Sequence, residues 1–508
     1  MKTFLVVLMN LVFVAVSAQQ EFDFREPLKV VAFEKVNSTV KVGSVLYITG
    51  IKYSISDVGT AITMQAKSEA GVVNDLSASK IESFKFDDID NTDKVWNMYL
   101  LSNDVYKSML KKGYQYSLRQ ELNEDAIDFA NTLGDRFFDD RFLEDYLYTL
   151  LARVHTGTLS DKRPGNIYVK VLMDSRPNAF ILPNGFVVVT TGLLSSIQSE
   201  DELVGILAHE VAHFVLDHPV MNYNAEIDRK RRAEFWAGFA TALAAGADVY
   251  MASKNKNYIP GVLTVSTAVV ATAFANDAIE RLGVKYNQEQ EIEADNASKQ
   301  ILRVLNYDTL GLSVALQRIR EYCILTGDYL ALTGSGTHPS LTSRIKNLGK
   351  PLGPENYTQA PYLRKVSSVN SFSAAIELWG FSHHQTAIML ADRNISNGVA
   401  TESDYIVKAI VKRRSSNTRA SNEEVLSLLQ KAKILNVDPM VTVHREEGIT
   451  LIRLGNKVEA KKAFQTYLSS LIEIKERVEK LEYPNNNSEG LAEEINWTKK
   501  MIFKVDSF

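Results

Sequence analysis

Two histidines four residues apart bracket an acid in His209-Glu210-Val211-Ala212-His213, inside an apolar run from Leu203 to Leu216. On an α-helix, residues at i and i+4 lie one turn apart on a single face. Both imidazoles can then reach one metal ion, and Glu210, beside the first of them, can face a water at that ion. Catalytic zinc asks for this set: nitrogen ligands at roughly 2.0–2.1 Å, one open coordination position, and a carboxylate to take a proton. Further along, Gln290-Glu291-Ile292-Glu293-Ala294-Asp295-Asn296 reads as the start of a second helix. Glu291 and Asp295 are again four apart and share a face. Glu291 suits a third ligand, and Asp295 suits an acceptor for the far ring nitrogen of a ligand histidine. Taken by themselves, the two acids fit solvated helix charges equally well.

Spacing separates the competing zinc sites. HExxHxxGxxH would need glycine where Leu216 stands and histidine where Pro219 stands, and the inverted HxxEH is absent around these residues. His218, five residues after His213, points off the ligand face, so a capping or hydrogen-bonded role is favoured over metal binding.

With these residues in place, the chain resembles peptidase family M48, which has HtpX, CAAX prenyl protease and BepA-type branches. The likeness is carried by four ordered blocks. They are Asn178-Ala179-Phe180 with Pro183-Asn184-Gly185, Phe186-Val187-Val188-Val189 and Gly192-Leu193-Leu194; the HExxH pentad; the Glu291–Asp295 helix; and His338-Pro339-Ser340-Leu341-Thr342-Ser343-Arg344. It implies an α+β, zincin-type peptidase, mainly helical with a small sheet, binding one zinc ion per chain. His209, His213 and Glu291 are then the ligands, Glu210 the general base and acid, and Asp295 and Arg344 outer supports. The resemblance gives His338 an active-site role, either stabilising the oxyanion or swinging in as a fourth ligand that shuts the enzyme. Arg344 is expected to anchor the same loop or to face substrate. Without the family, the His338 block reads as an ordinary turn after Gly334-Ser335-Gly336, with Pro339 opening a helix.

The β-branched and aromatic run Phe186–Val189 follows a Pro-Asn-Gly turn and reads as a strand. The resemblance makes it the edge strand that pairs with a peptide substrate, an arrangement in which backbone hydrogen bonds supply affinity with little sequence preference. A buried core strand fits the composition equally well. From Ser117 to His155 the pattern is helical, with Leu143, Leu147 and Leu150-Leu151 on one face, as expected of the first peptidase helix.

The outer limits come from composition. The 508 residues, 45% apolar and 23% charged, suit two to four domains with real cores. A formal charge of −4 with interspersed signs offers no field for nucleic acid. Lys2, the apolar stretch Phe4 to Val16 and Ser17-Ala18 predict a signal peptide over residues 1–18, hence export, with the periplasm favoured by the resemblance. Residues 19–112 alternate short β-type runs with turns and predict a small β-rich domain. The peptidase is expected over 113–350, closed by a linker at Pro351, Gly353 and Pro354. The single Cys323 excludes an internal disulfide and is expected to be a buried, inert thiol. Asn-x-Ser/Thr sequons include those at Asn37, Asn356, Asn394, Asn486 and Asn496.

Residues 360–508 predict a helical, tetratricopeptide-like region. Gly448, Leu451, Gly455, Ala460, Phe464 and Tyr467 carry the pattern, and the neighbouring helices are degenerate repeats. Such repeats would bind protein partners. The stretch 235–275, with 18 uncharged residues from Tyr258 to Ala275, is expected to form a hairpin over the site that touches a membrane surface. Two functions follow. One is an exported zinc endopeptidase acting on misfolded, exported or membrane-associated proteins. The other is a chaperone-like scaffold whose repeats hold clients while the zinc site stays latched or weakly active.

Overall fold

The computed structural model describes residues 20–56, 59–103, 105, 114–133, 136–155, 167–222, 286–327, 341–349, 353, 357–436, 439–480 and 488–507. The expected signal peptide, the 235–275 hairpin and His338 lie outside the described residues. The chain divides into two compact units, Met1–Tyr116 and Ser117–Phe508.

In the first unit, β1 (Gln20–Ala32), β2 (Val45–Ser56), β3 (Gly59–Ser68), β4 (Val73–Ser77) and β5 (Phe84–Asp87) form an antiparallel sheet in the order β4-β3-β2-β1-β5. Leu28, Val30 and Ala32 are buried at every second position of β1, as a one-sided core requires. The register slips between Asp23 and Leu28 and between Ile48 and Gly50. A Cβ at Gly50 would stand 2.5 Å from the Phe22 carbonyl oxygen, so only glycine allows that crossing. Helix α1 (Thr92–Ser102) starts where the Asn91 side chain accepts from the Lys94 amide at 2.9 Å, and it packs on β1 with Trp96 and Leu100 buried.

The second unit is mostly helical. After α2 (Tyr114–Leu133) and α3 (Arg141–Val154) come β6 (Tyr168–Leu172), β7 (Ala179–Ile181) and β8 (Phe186–Thr190), in the order β6-β8-β7. This arrangement corrects one expectation. Phe186, Val187, Val188 and Val189 lie on the central strand, paired in parallel with β6 on one side and antiparallel with β7 on the other. Every residue of β8 is buried. Its ladder groups are already used, so no substrate strand can be added there. The edge next to it is β7, which packs on the helix that carries the HExxH pentad.

That helix is α5 (Glu200–Val215), reached through α4 (Thr191–Ser196). The Ser199 hydroxyl accepts from the Glu202 amide at 3.2 Å, and Glu200, Asp201 and Glu202 place negative charge at the positive end of the dipole. From Glu202 to Val215 the helix is buried on every side, ringed by α3, α7 (Gln288–Val304), α8 (Gly311–Thr326) and β7. A Cβ at Gly205 would meet the Leu312 backbone nitrogen at 2.8 Å, which is why α8 can cross so near. Helix α5 ends at Leu216. Asp217, at φ 66, turns the chain through the left-handed region into the short α6 (His218–Asn222).

Beyond α9 (Leu341–Leu348), the helices α10 (Ala360–Lys365), α11 (Ser367–Trp379) and α12 (His384–Ser396) pack into the same core. The buried Tyr362 hydroxyl donates to the Leu194 carbonyl at 3.1 Å, and Ser195 and Ser373 share a buried hydrogen bond of 2.8 Å. Tyr322 donates to Glu377 at 3.1 Å, and Arg393 donates to the Ser195 carbonyl. Cys323 is buried. So is the Asn394 side chain, whose Nδ2 donates to the Ser367 carbonyl at 2.8 Å and to Ser371 Oγ at 2.9 Å.

Helices α13 (Glu402–Ser415), α14 (Arg419–Leu435), α15 (Thr442–Arg453), α16 (Lys457–Lys480) and α17 (Ser488–Ser507) then stack in sequence, each against the next. The glycines at 448 and 455 have distinct uses here. A Cβ at Gly448 would stand 2.8 Å from the buried Phe464 ring, and Gly455, at φ 80, makes the turn between α15 and α16.

Candidate metal centre

Two helices build the site. Helix α5 supplies His209, Glu210 and His213, all buried. Helix α7 begins with a reciprocal cap: Asn287 Oδ1 accepts from the amides of Glu289 and Gln290, and Gln290 Oε1 accepts from the Asn287 amide, each at 3.0 Å. The cap fixes the first turn, which carries Glu291 inward with Asp295 one turn later. Ser298, on the same helix, donates to the Gly205 carbonyl at 2.7 Å and pins α7 along α5.

One ligand atom from each of His209, His213 and Glu291 falls within 4.8 Å of the others. The two Nε2 atoms are 3.0 Å apart, His209 Nε2 is 3.5 Å from Glu291 Oε2, and His213 Nε2 is 3.6 Å from Glu291 Oε1. A tetrahedral ion with bonds of roughly 2.0–2.1 Å needs neighbouring ligand atoms about 3.3–3.4 Å apart. The charge also fits. Among the described residues, Glu210, Glu291 and Asp295 lie around one guanidinium, that of Arg344, and this surplus of negative charge in a buried site calls for a cation.

Arg344, carried by α9, is buried rather than facing substrate. Its Nη2 is 2.6 Å and its Nε 3.2 Å from the two oxygens of Asp295, and its Nη1 is 3.1 Å from Glu291 Oε2. Asp295 Oδ1 also lies 3.0 Å from His209 Nδ1, which directs Nε2 of that ring at the ligand position. Burial works to raise the Asp295 carboxyl, but the Arg344 charge and the His209 hydrogen bond hold it well below the usual carboxylate range. Burial and then the Arg344 charge push His209 below its ordinary value, favouring the neutral ring that a metal ligand must be.

His213 is held differently. Its Nδ1 is 2.8 Å from His218 Nδ1, and His218 Nε2 is 3.1 Å from Glu293 Oε2. Tyr286 stacks on the His213 ring with centroids 3.5 Å apart and planes 9° from parallel. Burial, then Glu210 and Glu291, drive the Tyr286 hydroxyl well above its ordinary value, so it stays protonated. Helical spacing alone turns His218 away from the ligand face. The left-handed Asp217 brings it back behind His213, and the only hint in the sequence is that acid directly before the histidine.

Residues 147–352 match the model of Peptidase family M48. The chain carries a Peptidase family M48 domain. Helices α5, α7 and α8 and the three-stranded sheet fall inside it, and α3 enters it from Leu147 onward. The chain is also similar to relatives named as proteases or metalloproteases. Mitochondrial metalloendopeptidase OMA1 of Schizosaccharomyces pombe is 34% identical over 113 residues, 20% of this chain and 34% of the relative. Metalloprotease YcaL of Escherichia coli is 28% identical over 143 residues, 28% of this chain and 47% of the relative. A protease HtpX homolog of Methylibium petroleiphilum is 30% identical over 159 residues, 30% of this chain and 50% of the relative. The chain thus spans about a third to a half of the length of these relatives. Among the described residues, no helix is long and apolar enough to cross a membrane.

Proposed function

We propose that the chain is an exported, zinc-dependent endopeptidase acting on misfolded, exported or membrane-associated proteins. The observation that carries this reading is the buried triangle of His209, His213 and Glu291, with Glu210 beside it on the same helix. Zinc held by the three would supply Lewis acidity, polarising the scissile carbonyl and bringing the pKa of water towards about 7.

The rest is the work of the chain. Glu210 takes the proton of the attacking water and returns it to the leaving amine, as one carboxylate can do in sequence. Asp295 and Arg344 hold the His209 ring and the Glu291 carboxylate in place, so neither has to reorganise during the reaction. In place of the central β8, the outer strand β7, Ala179–Ile181, is proposed as the strand beside α5 with which an extended peptide pairs. His338 is proposed to complete the site from the segment before α9, either as an oxyanion donor or as a latch. The stacked helices α13–α17 are proposed to bind protein partners. The amino-terminal sequence supports export to the periplasm.

The test is Glu210→Gln in the full chain. Zinc content should be unchanged, while cleavage of an unfolded protein substrate falls by about 10²–10⁴. A wild-type protein without zinc, or a variant that still cleaves, would sink the reading.

A further inference from the structure

We propose that Glu293 and His218 form an orienting relay behind His213 that sets how tightly the site holds its metal. This rests on His213 being a ligand through Nε2, as the triangle of donor atoms has it. With Nε2 committed to the metal, the neutral ring carries its proton on Nδ1. That nitrogen lies 2.8 Å from His218 Nδ1, so His213 donates and His218 accepts. His218 then carries its own proton on Nε2, which lies 3.1 Å from the Glu293 carboxylate. Each contact fixes the tautomer of the next, and one assignment satisfies all three groups.

The two ligand histidines are therefore supported in different ways. His209 has a carboxylate directly on Nδ1, since Asp295 lies 3.0 Å away. His213 has a carboxylate one imidazole removed, and that carboxylate is on the surface: the Glu293 side chain is 43% exposed, whereas His218 is 1% exposed. Glu293 belongs to the helix that carries Glu291, so α7 contributes a ligand on its inner face and an orienting charge on its outer flank. The geometry is built by the turn at Asp217, without which His218 would continue away along α5. His218 and Glu293 are positioning residues; neither touches the reacting atoms.

The experiment measures Zn(II) affinity of the full-length protein by competition with a chromophoric chelator, alongside the visible spectrum of the Co(II) form and unfolding of the apoprotein. His218→Leu removes the acceptor and should weaken Zn(II) binding about 10–100-fold. Glu293→Ala leaves His218 in place but frees its tautomer, and should fall at the low end of that range, about 10-fold. His218→Asn restores an acceptor at the same depth and should recover most of the affinity. The Co(II) bands should shift in His218→Leu and Glu293→Ala and return towards wild type in His218→Asn, a signature that a purely structural histidine would not give. Should His218→Leu fail to fold, Glu293→Ala decides alone, because its side chain reaches solvent. Wild-type affinity and spectrum in folded Glu293→Ala and His218→Leu would overturn the relay. A wild-type protein that binds no Zn(II) would instead overturn the metal-site reading beneath it.

Discussion

Helix α5 buries charge near both of its ends, and the two clusters are composed differently. Towards its C-terminal end, the carboxylates of Glu210, Glu291 and Asp295 surround one arginine, Arg344. At its N-terminal end, Glu202 accepts from Arg318 Nε at 3.0 Å, the Arg393 charge lies near both, and Glu377 accepts from the buried Tyr322 hydroxyl at 3.1 Å. Among the described residues, the acids there, Glu202 and Glu377, are matched by Arg318, Arg393 and His383, and burial holds Glu202 partly protonated at neutral pH, whereas three acids share one arginine at the other end. A balanced cluster is complete in itself and holds helices together. A cluster with surplus charge of one sign, equally buried, is stable only with something added. The difference separates a structural site from a functional one without reference to any motif.

The largest expected effect strikes the balanced end. Stopping the chain before residue 357 removes Arg393 and Glu377 and uncovers Leu194, Ser195 and the flank of α8. The remaining peptidase residues should fail to give a cooperative unfolding transition by circular dichroism. A cooperatively folded fragment would mean that α10–α12 are dispensable and the comparison weaker than drawn.

Next is Arg344→Met, which makes the surplus worse. Removing one partner of a buried ion pair costs about 3–5 kcal/mol. The apoprotein should lose that much in denaturant unfolding, and the zinc-loaded protein distinctly less, since the cation takes over the neutralising role. Equal losses with and without zinc would break the link between surplus charge and metal.

The smallest effect is on pH dependence. Burial pushes the Glu202 carboxyl up to about 7, with Arg318 only partly opposing it. The folded state therefore holds this proton more tightly than the unfolded chain, whose carboxyl titrates near its ordinary 4.5. The stabilisation is full below about 4.5 and is lost as pH rises through about 7. Glu202→Gln should flatten the fall in stability across that window, measured by denaturant midpoints at successive pH values. An unchanged slope would assign the titration to another group.

Local spacing explains which parts could be read from the sequence. His209, His213, Glu291 and Asp295 are legible because each pair lies within one helix, where four residues fix a shared face. What pairs one helix with another is not periodic. Arg344 reaches Asp295 across 49 residues, and nothing in the arginine's own neighbourhood announces a buried partner. The sheet failed for a related reason. Phe186–Val189 has the composition of a strand, but edge and centre differ only in their neighbours, and β7 at three residues is too short to give a pattern. The proline and glycine run at 351–354 reads as a linker, yet the helices after it close over α4 and α8 through single residues such as Tyr362 and Ser373.

The buried amide of Asn394 bears on how the protein can be made. Asn394-Ile395-Ser396 is an acceptor sequon, but the nitrogen that would carry a sugar is spent on Ser367 and Ser371 and packed beneath α13. Oligosaccharide transfer in a eukaryotic secretory host acts on chains still emerging, before that amide is covered. A glycan placed there would keep α12 and α13 from closing, whereas the exposed Asn37 would tolerate one. Bacterial expression, or Ser396→Ala where a eukaryotic host is required, avoids the trap and leaves the Asn394 amide in place.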